Sequence, residues 1–397
     1  MENKRKDHAR TIPKEEKVYP DFITATRNLD LIYAKTITKN IDEKQYLGAL
    51  ENLVLNNSHA TDSILHHLLR TAKDSLVLAE AKLLLETLLI ADSKWEALLK
   101  IHPNPLNNSD IYYSHAKAWS QFNQTQYLFP EEGITQALTY TKNGQPLVHI
   151  SIKGKFYHFI IDTGAQFSII SSEVAKACEI TPVKIEEKNL KSFSKPGIIS
   201  SLRIENAEIK NLPVMILNKK NLNIRFFKLF TTLKIDGIIG WPQIKELRVE
   251  IDNKLRVLKI AKSSTIVNPD PNLIYYLEPV VKTIVSPEVP LHFFLDTGKG
   301  KTTLFMRGAK KTKQDYISKG YSISSMLSEM GGSRVQRRKL LKNISIKILE
   351  ETVKFELIDI EKKDLVYSVF FDGWMGSDIG NNKKTIIDFP KGQFIVE

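Results

Sequence analysis

An apolar run that drives straight into Asp-Thr-Gly occurs twice, and this duplication constrains the fold more than any other feature of the chain. The first copy is Phe159-Ile160-Ile161-Asp162-Thr163-Gly164, and the second, Phe293-Phe294-Leu295-Asp296-Thr297-Gly298, follows 134 residues later. Each run reads as a buried strand, because Ile and Phe pack well on a pleated surface. Such a strand ends in a carboxylate only where that carboxylate has work or a partner. The glycine lets the backbone turn and approach something closely. The match extends beyond the triplet: His158 and His292 precede the aspartates by four residues, Ser168 and Thr302 follow by six, and Gly197 and Gly331 by 35. Ile235-Asp236-Gly237-Ile238-Ile239-Gly240 is echoed by Phe371-Asp372-Gly373-Trp374-Met375-Gly376, and an Ile-Asp recurs at Asp252 and Asp388, twelve residues past each final glycine. Several features in one register describe a duplicated domain of roughly 130 residues.

These residues resemble those of a known family. Asp-Thr-Gly-Ala-Gln-Phe-Ser with Asp-Gly-Ile-Ile-Gly, and Asp-Thr-Gly-Lys-Gly-Lys-Thr with Asp-Gly-Trp-Met-Gly, are similar to the two signatures of an aspartic protease lobe of the pepsin and retropepsin type. Both lobes in one polypeptide resembles the pepsins, and Ala165 after the triplet resembles the retropepsins. The resemblance implies an aspartic endopeptidase with Asp162 and Asp296 side by side across a lobe interface. Two carboxylates that close share a proton, and their titration belongs to the pair. The ionised member activates a water and the protonated one donates to the scissile carbonyl, so neither a cofactor nor a metal is expected. Thr163 and Thr297 are expected to cross-bond the loops, and Gly164 and Gly298 to leave room for substrate. Ala165, Lys299, Ser168 and Thr302 are candidates for lining subsites or tuning the dyad. Gly197, Gly331 and Gly332 lie in polar stretches that suit a flap or an ordinary turn.

Lys299 departs from the family pattern, which has a small residue there. Its ammonium can depress the dyad's pKa, fill a subsite, or snorkel out along the groove. The alternative function is therefore a catalytically weak or inactive pseudoprotease that binds peptides.

The expected fold is multidomain: an N-terminal all-α helical domain, then an all-β bilobed acid-protease fold with pseudo-two-fold duplicated lobes. Residues 1–40 read as a flexible basic tail, 41–128 as the helical domain, 129–262 as lobe one and 263–397 as lobe two. Asp42 can cap the first helix, and Thr61 and Asp62 start the next. Leu76 to Ala91 is interrupted by Glu80, Lys82 and Glu86, so no transmembrane span is expected. His66 and His67 lack the company of further metal ligands. The single cysteine, Cys178, excludes an intramolecular disulfide and reads as a small core residue. No signal peptide is visible. The compartment stays open: formally cytoplasmic, or exported or periplasmic if a signal was removed.

Net charge is +12, and Asp296 to Lys342 alone contributes +9. That strip includes Arg334, Arg337, Arg338 and Lys339 and flanks the expected cleft, which suits a peptide or protein substrate with acidic segments. No nucleic-acid partner is expected, since no binding motif or stacking array accompanies the charge. The helical domain is expected to bind a protein partner or present substrate without contributing to the dyad, and the protein to be a monomer.

Overall fold

The computed structural model describes residues 19–101, 111–141, 144–183, 194–218, 235–263, 268–285, 288–315, 317–325, 333–361 and 369–397. Helices come first: α1 (Phe22–Arg27), α2 (Leu31–Ile37), α3 (Ile41–Val54), α4 (Ser58–Thr71), α5 (Ser75–Ala91), α6 (Trp95–Ile101) and α7 (Ile111–Trp119). Each of the first five begins with a side-chain cap, from Asp21, Asp30, Asn40, Asn57 and Asp74 in turn. Asn40 rather than Asp42 caps α3. Asp42 instead accepts from the Lys73 and Asp74 N–H groups at 2.7 and 2.9 Å, closing the turn between α4 and α5. Residues 22–27 and 31–37, expected within a flexible tail, are helical; their own caps start them, and Phe22, Ala25 and Ala34 are buried.

Lobe one comprises β1 (Gln126–Leu128), β2 (Ile134–Ala137), β3 (Thr139–Tyr140), β4 (Pro146–Ile152), β5 (Lys155–Ile161), β6 (Ser168–Ser171), α8 (Ser172–Ala177), β7 (Ser194–Ile204), β8 (Ala207–Leu217), β9 (Gly237–Ile239), β10 (Leu247–Asp252) and β11 (Val257–Lys262). Lys153 and Gly154 at positive φ make the tight turn between β4 and β5. Cys178 closes α8 and is fully buried. Lobe two comprises β12 (Leu273–Tyr276), β13 (Glu278–Val285), β14 (Val289–Leu295), β15 (Thr303–Phe305), β16 (Ile317–Ser325), β17 (Ser333–Ile348), β18 (Glu351–Glu361), β19 (Gly373–Met375), β20 (Lys384–Asp388) and β21 (Gln393–Val396).

The two lobes repeat one pairing scheme. β5 runs parallel to β9 with Phe159 opposite Gly237, and β14 runs parallel to β19 with Phe293 opposite Gly373. β6 lies between β9 and β8 as β15 lies between β19 and β18. A Cβ on Gly237 or Gly373 would fall 2.3 or 2.9 Å from the facing phenylalanine ring, so each repeated glycine makes room for the aromatic of the repeated strand. A third, five-stranded sheet in the order β2-β11-β10-β20-β21 takes strands from both lobes. Its central seam is the antiparallel pair β10–β20, where Arg248 faces Asp388.

Two apolar cores result. One fills the lobes. The other is shared: helical residues such as Tyr46, Leu50, Leu84, Trp95 and Trp119 pack in one cluster with Phe167 of lobe one and Tyr276, Phe294, Phe305, Phe370 and Phe371 of lobe two. Trp119 stacks obliquely on Phe167 at 5.2 Å and donates its Nε1–H to the Gly197 carbonyl. The helices are thus part of the lobes' core, where an attached, separate module was expected.

Candidate active site

β5 and β14 deliver the two Asp-Thr-Gly loops to one point between the lobes. The Asp162 N–H donates to the Ile239 carbonyl at 3.0 Å and the Asp296 N–H to the Met375 carbonyl at 2.9 Å, so each loop is pinned to the parallel neighbour of its own strand. Thr163 and Thr297 then cross over. The Thr163 N–H donates to Thr297 Oγ1 and the Thr297 N–H to Thr163 Oγ1, both at 3.0 Å. The hydroxyls continue to the opposite strands, Thr163 Oγ1 to the Leu295 carbonyl at 2.6 Å and Thr297 Oγ1 to the Ile161 carbonyl at 2.7 Å. Both threonines are buried.

The crossing brings the carboxyl groups of Asp162 and Asp296 together, each against the glycine of the opposite loop and near enough to act on the other's protonation. Asp162 also accepts from the Gly164 N–H at 2.9 Å. A Cβ on Gly164 would sit 2.8 Å from the Asp296 carboxyl carbon, and one on Gly298 would sit 2.3 Å from that of Asp162. What each glycine admits is the opposing carboxyl group. Burial, and then the negative charge of Asp296, push Asp162 well above the usual carboxylate range. Asp296 is also raised by burial, but the Lys299 ammonium and the hydrogen bond from Asp162 pull it back.

Ser168 and Thr302 do not line a subsite; both are buried and brace the second glycine motif. Ser168 Oγ accepts from the Gly240 N–H at 3.0 Å and donates to Gln243 at 2.5 Å. Thr302 Oγ1 accepts from the Gly376 N–H at 3.1 Å and donates to Asp378 at 2.6 Å. Ala165 is half-buried, and its carbonyl accepts from the Trp241 N–H at 2.8 Å. Gly197 is neither a flap tip nor a turn. It lies within β7 opposite Val214, and the β7–β8 hairpin turns later, at residues 205–206. Gly331 and Gly332 fall outside the described residues, as do the side chains of Arg334, Arg337 and Arg338.

The Lys299 ammonium lies 2.5 Å from Glu361 Oε1 and 3.4 Å from the centre of the Trp374 ring. Glu361 also accepts from Thr303 Oγ1 at 3.2 Å. Burial lowers the pKa of Lys299, against the opposing pull of Glu361 and Asp296. Neither Glu361 nor Trp374 was singled out by sequence reasoning. Gln145 was not either, and its Nε2 donates to the Gly298 carbonyl from 153 residues away. Among the described residues no cluster of His, Cys, Asp and Glu could hold a metal ion, and no helix is long and apolar enough to cross a membrane.

Residues 148–225, which include the first Asp-Thr-Gly loop, match the family model described as "gag-polyprotein putative aspartyl protease". Through this segment the chain is similar to retropepsin-type aspartic proteases. Among solved structures, a retropepsin-like aspartic protease from Rickettsia conorii is 14% identical, with a TM-score of 0.24, over 36% of this chain and 98% of its own. No curated protein matches the chain.

Proposed function

We propose that the protein is an aspartic endopeptidase whose catalytic residues are Asp162 and Asp296. The observation that supports this reading is the approach of the two carboxyl groups, each packed against the glycine of the opposite loop and held by reciprocal threonine bonds within a single chain. A water between the carboxyl groups gives its proton to the ionised aspartate as its oxygen attacks the scissile carbonyl carbon. The protonated aspartate gives its proton to the carbonyl oxygen, leaving a neutral gem-diol. Collapse of that intermediate breaks the C–N bond as a carboxyl proton passes to the leaving nitrogen. No covalent enzyme intermediate forms. Burial raises both carboxyl pKa values, which favours retention of the one proton that the mechanism requires.

The competing reading, a peptide-binding pseudoprotease, arose from Lys299. The pairing of its ammonium with Glu361 weakens that objection, because Glu361 offsets part of the charge added next to the dyad. The test is cleavage of a panel of unfolded proteins and short acidic peptides from pH 3 to pH 8. Asp162→Asn and Asp296→Asn should each abolish cleavage while keeping the folded circular-dichroism spectrum, since one carboxylate cannot act as both acid and base. Full activity in Asp296→Asn would remove lobe two from the mechanism. Peptide binding without cleavage by the unmutated chain would favour the pseudoprotease.

A further inference from the structure

Resting on the dyad reading, we propose that Gln145 and Glu278 are positioning residues: each reaches from its own lobe to the catalytic loop of the other and holds the loop whose glycine seats its own lobe's aspartate. The two residues occupy one position of the repeat. His149 pairs with His158, four residues before Asp162, and Lys282 pairs with His292, four residues before Asp296. Gln145 precedes His149 by four, Glu278 precedes Lys282 by four, and each is followed by a proline, Pro146 or Pro279. Both side chains are buried. Gln145 Nε2 donates to the Gly298 carbonyl of lobe two, and Glu278 Oε1 accepts from Gln166 Nε2 of lobe one at 2.9 Å. The position and the crossing of the interface match, although one residue gives a hydrogen bond and the other takes one.

The crossed threonine bonds fix residues 163 and 297, one step short of the glycines. Beyond that step lobe two ties its loop to itself: the Lys299 N–H donates to the Asp296 carbonyl at 3.0 Å, and the Ser377 N–H to the Lys299 carbonyl at 2.8 Å. Those bonds shape the turn but leave its distance from Asp162 to contacts that cross the interface. Gln145 supplies one. The Gly298 carbonyl and the Lys299 N–H belong to one planar peptide group, which is therefore held from both ends. Gln145 is itself oriented. Its Oε1 accepts from Thr141 Oγ1 at 3.0 Å, which turns Nε2 toward Gly298, and its N–H donates to the same hydroxyl at 3.1 Å. With that peptide fixed, Gly298 stays against the Asp162 carboxyl. On the other side Glu278 holds Gln166, two residues past the Gly164 that lies against the Asp296 carboxyl. The dyad is thus seated crosswise, Asp162 by Gln145 through lobe two, and Asp296 by Glu278 through lobe one.

The test reads each carboxyl group by NMR, in the full chain labelled at the aspartate carboxyl carbon and carrying either Asp296→Asn or Asp162→Asn. Adding Gln145→Met, which keeps the length of the side chain and removes its donor, should move the Asp162 resonance in Asp296→Asn further than the Asp296 resonance in Asp162→Asn. Adding Glu278→Leu should reverse that order. Gln145→Lys retains a donor and should bring the Asp162 resonance back toward its original position. In the chain with both aspartates, Gln145→Met should lower kcat by up to about 100-fold, the cost of a misplacement of about 1 Å, with KM little changed. A merely structural contact would lower stability and move both resonances alike. Resonances that stay in place or move equally in Gln145→Met would overturn the proposal, as would one and the same order for Gln145→Met and Glu278→Leu. If Gln145→Met does not fold, Thr141→Val, which releases the carboxamide from its orienting bond, decides by the same order. If Glu278→Leu does not fold, Gln166→Leu removes the same bond from the loop side. The resonances are read whether or not the protein cuts peptides. The crossed order without cleavage would remove the endopeptidase reading and leave this one, and cleavage with equal shifts would do the reverse.

Discussion

Replacing Thr163 by Val isolates the contribution of the crossed threonines. Val matches Thr in volume, so the change removes a hydroxyl and leaves no cavity. Two hydrogen bonds go with it: the one accepted from the Thr297 N–H and the one donated to the Leu295 carbonyl. Both backbone groups lie at the buried junction of the lobes, and Thr163 itself is 0% exposed, so water does not replace the lost partner. An orphaned buried group costs about 1–3 kcal/mol, so two cost about 2–6 kcal/mol. Thr297→Val orphans the Thr163 N–H and the Ile161 carbonyl in the same way. The two variants should therefore lose similar amounts of stability, measured by urea unfolding at pH 7 with an unchanged slope. Both should also lose cleavage, since a displacement of about 1 Å between reacting groups costs roughly 100-fold in rate. A loss below about 0.5 kcal/mol in either variant, within the range of ordinary surface changes, would show that the crossed bonds do not hold the loops together.

Two more outcomes follow from burial. A chain starting at Phe129 should be insoluble or molten, because deleting the helices uncovers Phe167, Tyr276, Phe294, Phe305, Phe370 and Phe371 together; a soluble, cooperatively melting truncation that still cuts a short peptide would refute the shared core. Asp162→Asn should melt higher than the unmutated protein at pH 7, with the gain vanishing as pH falls. A carboxyl group whose folded pKa is raised contributes stability that is fully present below its unfolded pKa of about 3.9 and is lost as pH rises through the folded one. Equal melting temperatures at pH 7 and pH 3 would count against a strained dyad.

The loops and the strand scheme around them are legible in sequence because both are written locally, in runs of six or seven residues, and then written again. What the sequence hides is contact between distant segments. Glu361 lies 62 residues from Lys299, and nothing in its surroundings marks it as a counter-ion. Gln145 reaches Gly298 across the lobe interface in the same unannounced way. The two glycines look like space for a ligand until the other lobe supplies a carboxyl group to fill it. Residues 22–37 are short, and the basic composition before them masks two helices whose start signals, Asp21 and Asp30, are single residues. Asp42 satisfies the pattern of a helix cap, yet Asn40 takes that place because Asp42 has two N–H groups to bind in another turn.

The seam between β10 and β20 has a consequence for how such a site can change. In a cleft made from two identical subunits, every substitution appears on both sides of the dyad, so a lysine beside one aspartate would bring a second ammonium beside the other. Here the two halves are joined by chain and by sheet. A residue can therefore be altered in one half while its counterpart is left as it was, and Lys299 opposite Ala165 is such a change. Joining the lobes frees each from having to serve as its own partner, so one can carry a charge, an indole ring and a counter-ion that the other never has to accommodate.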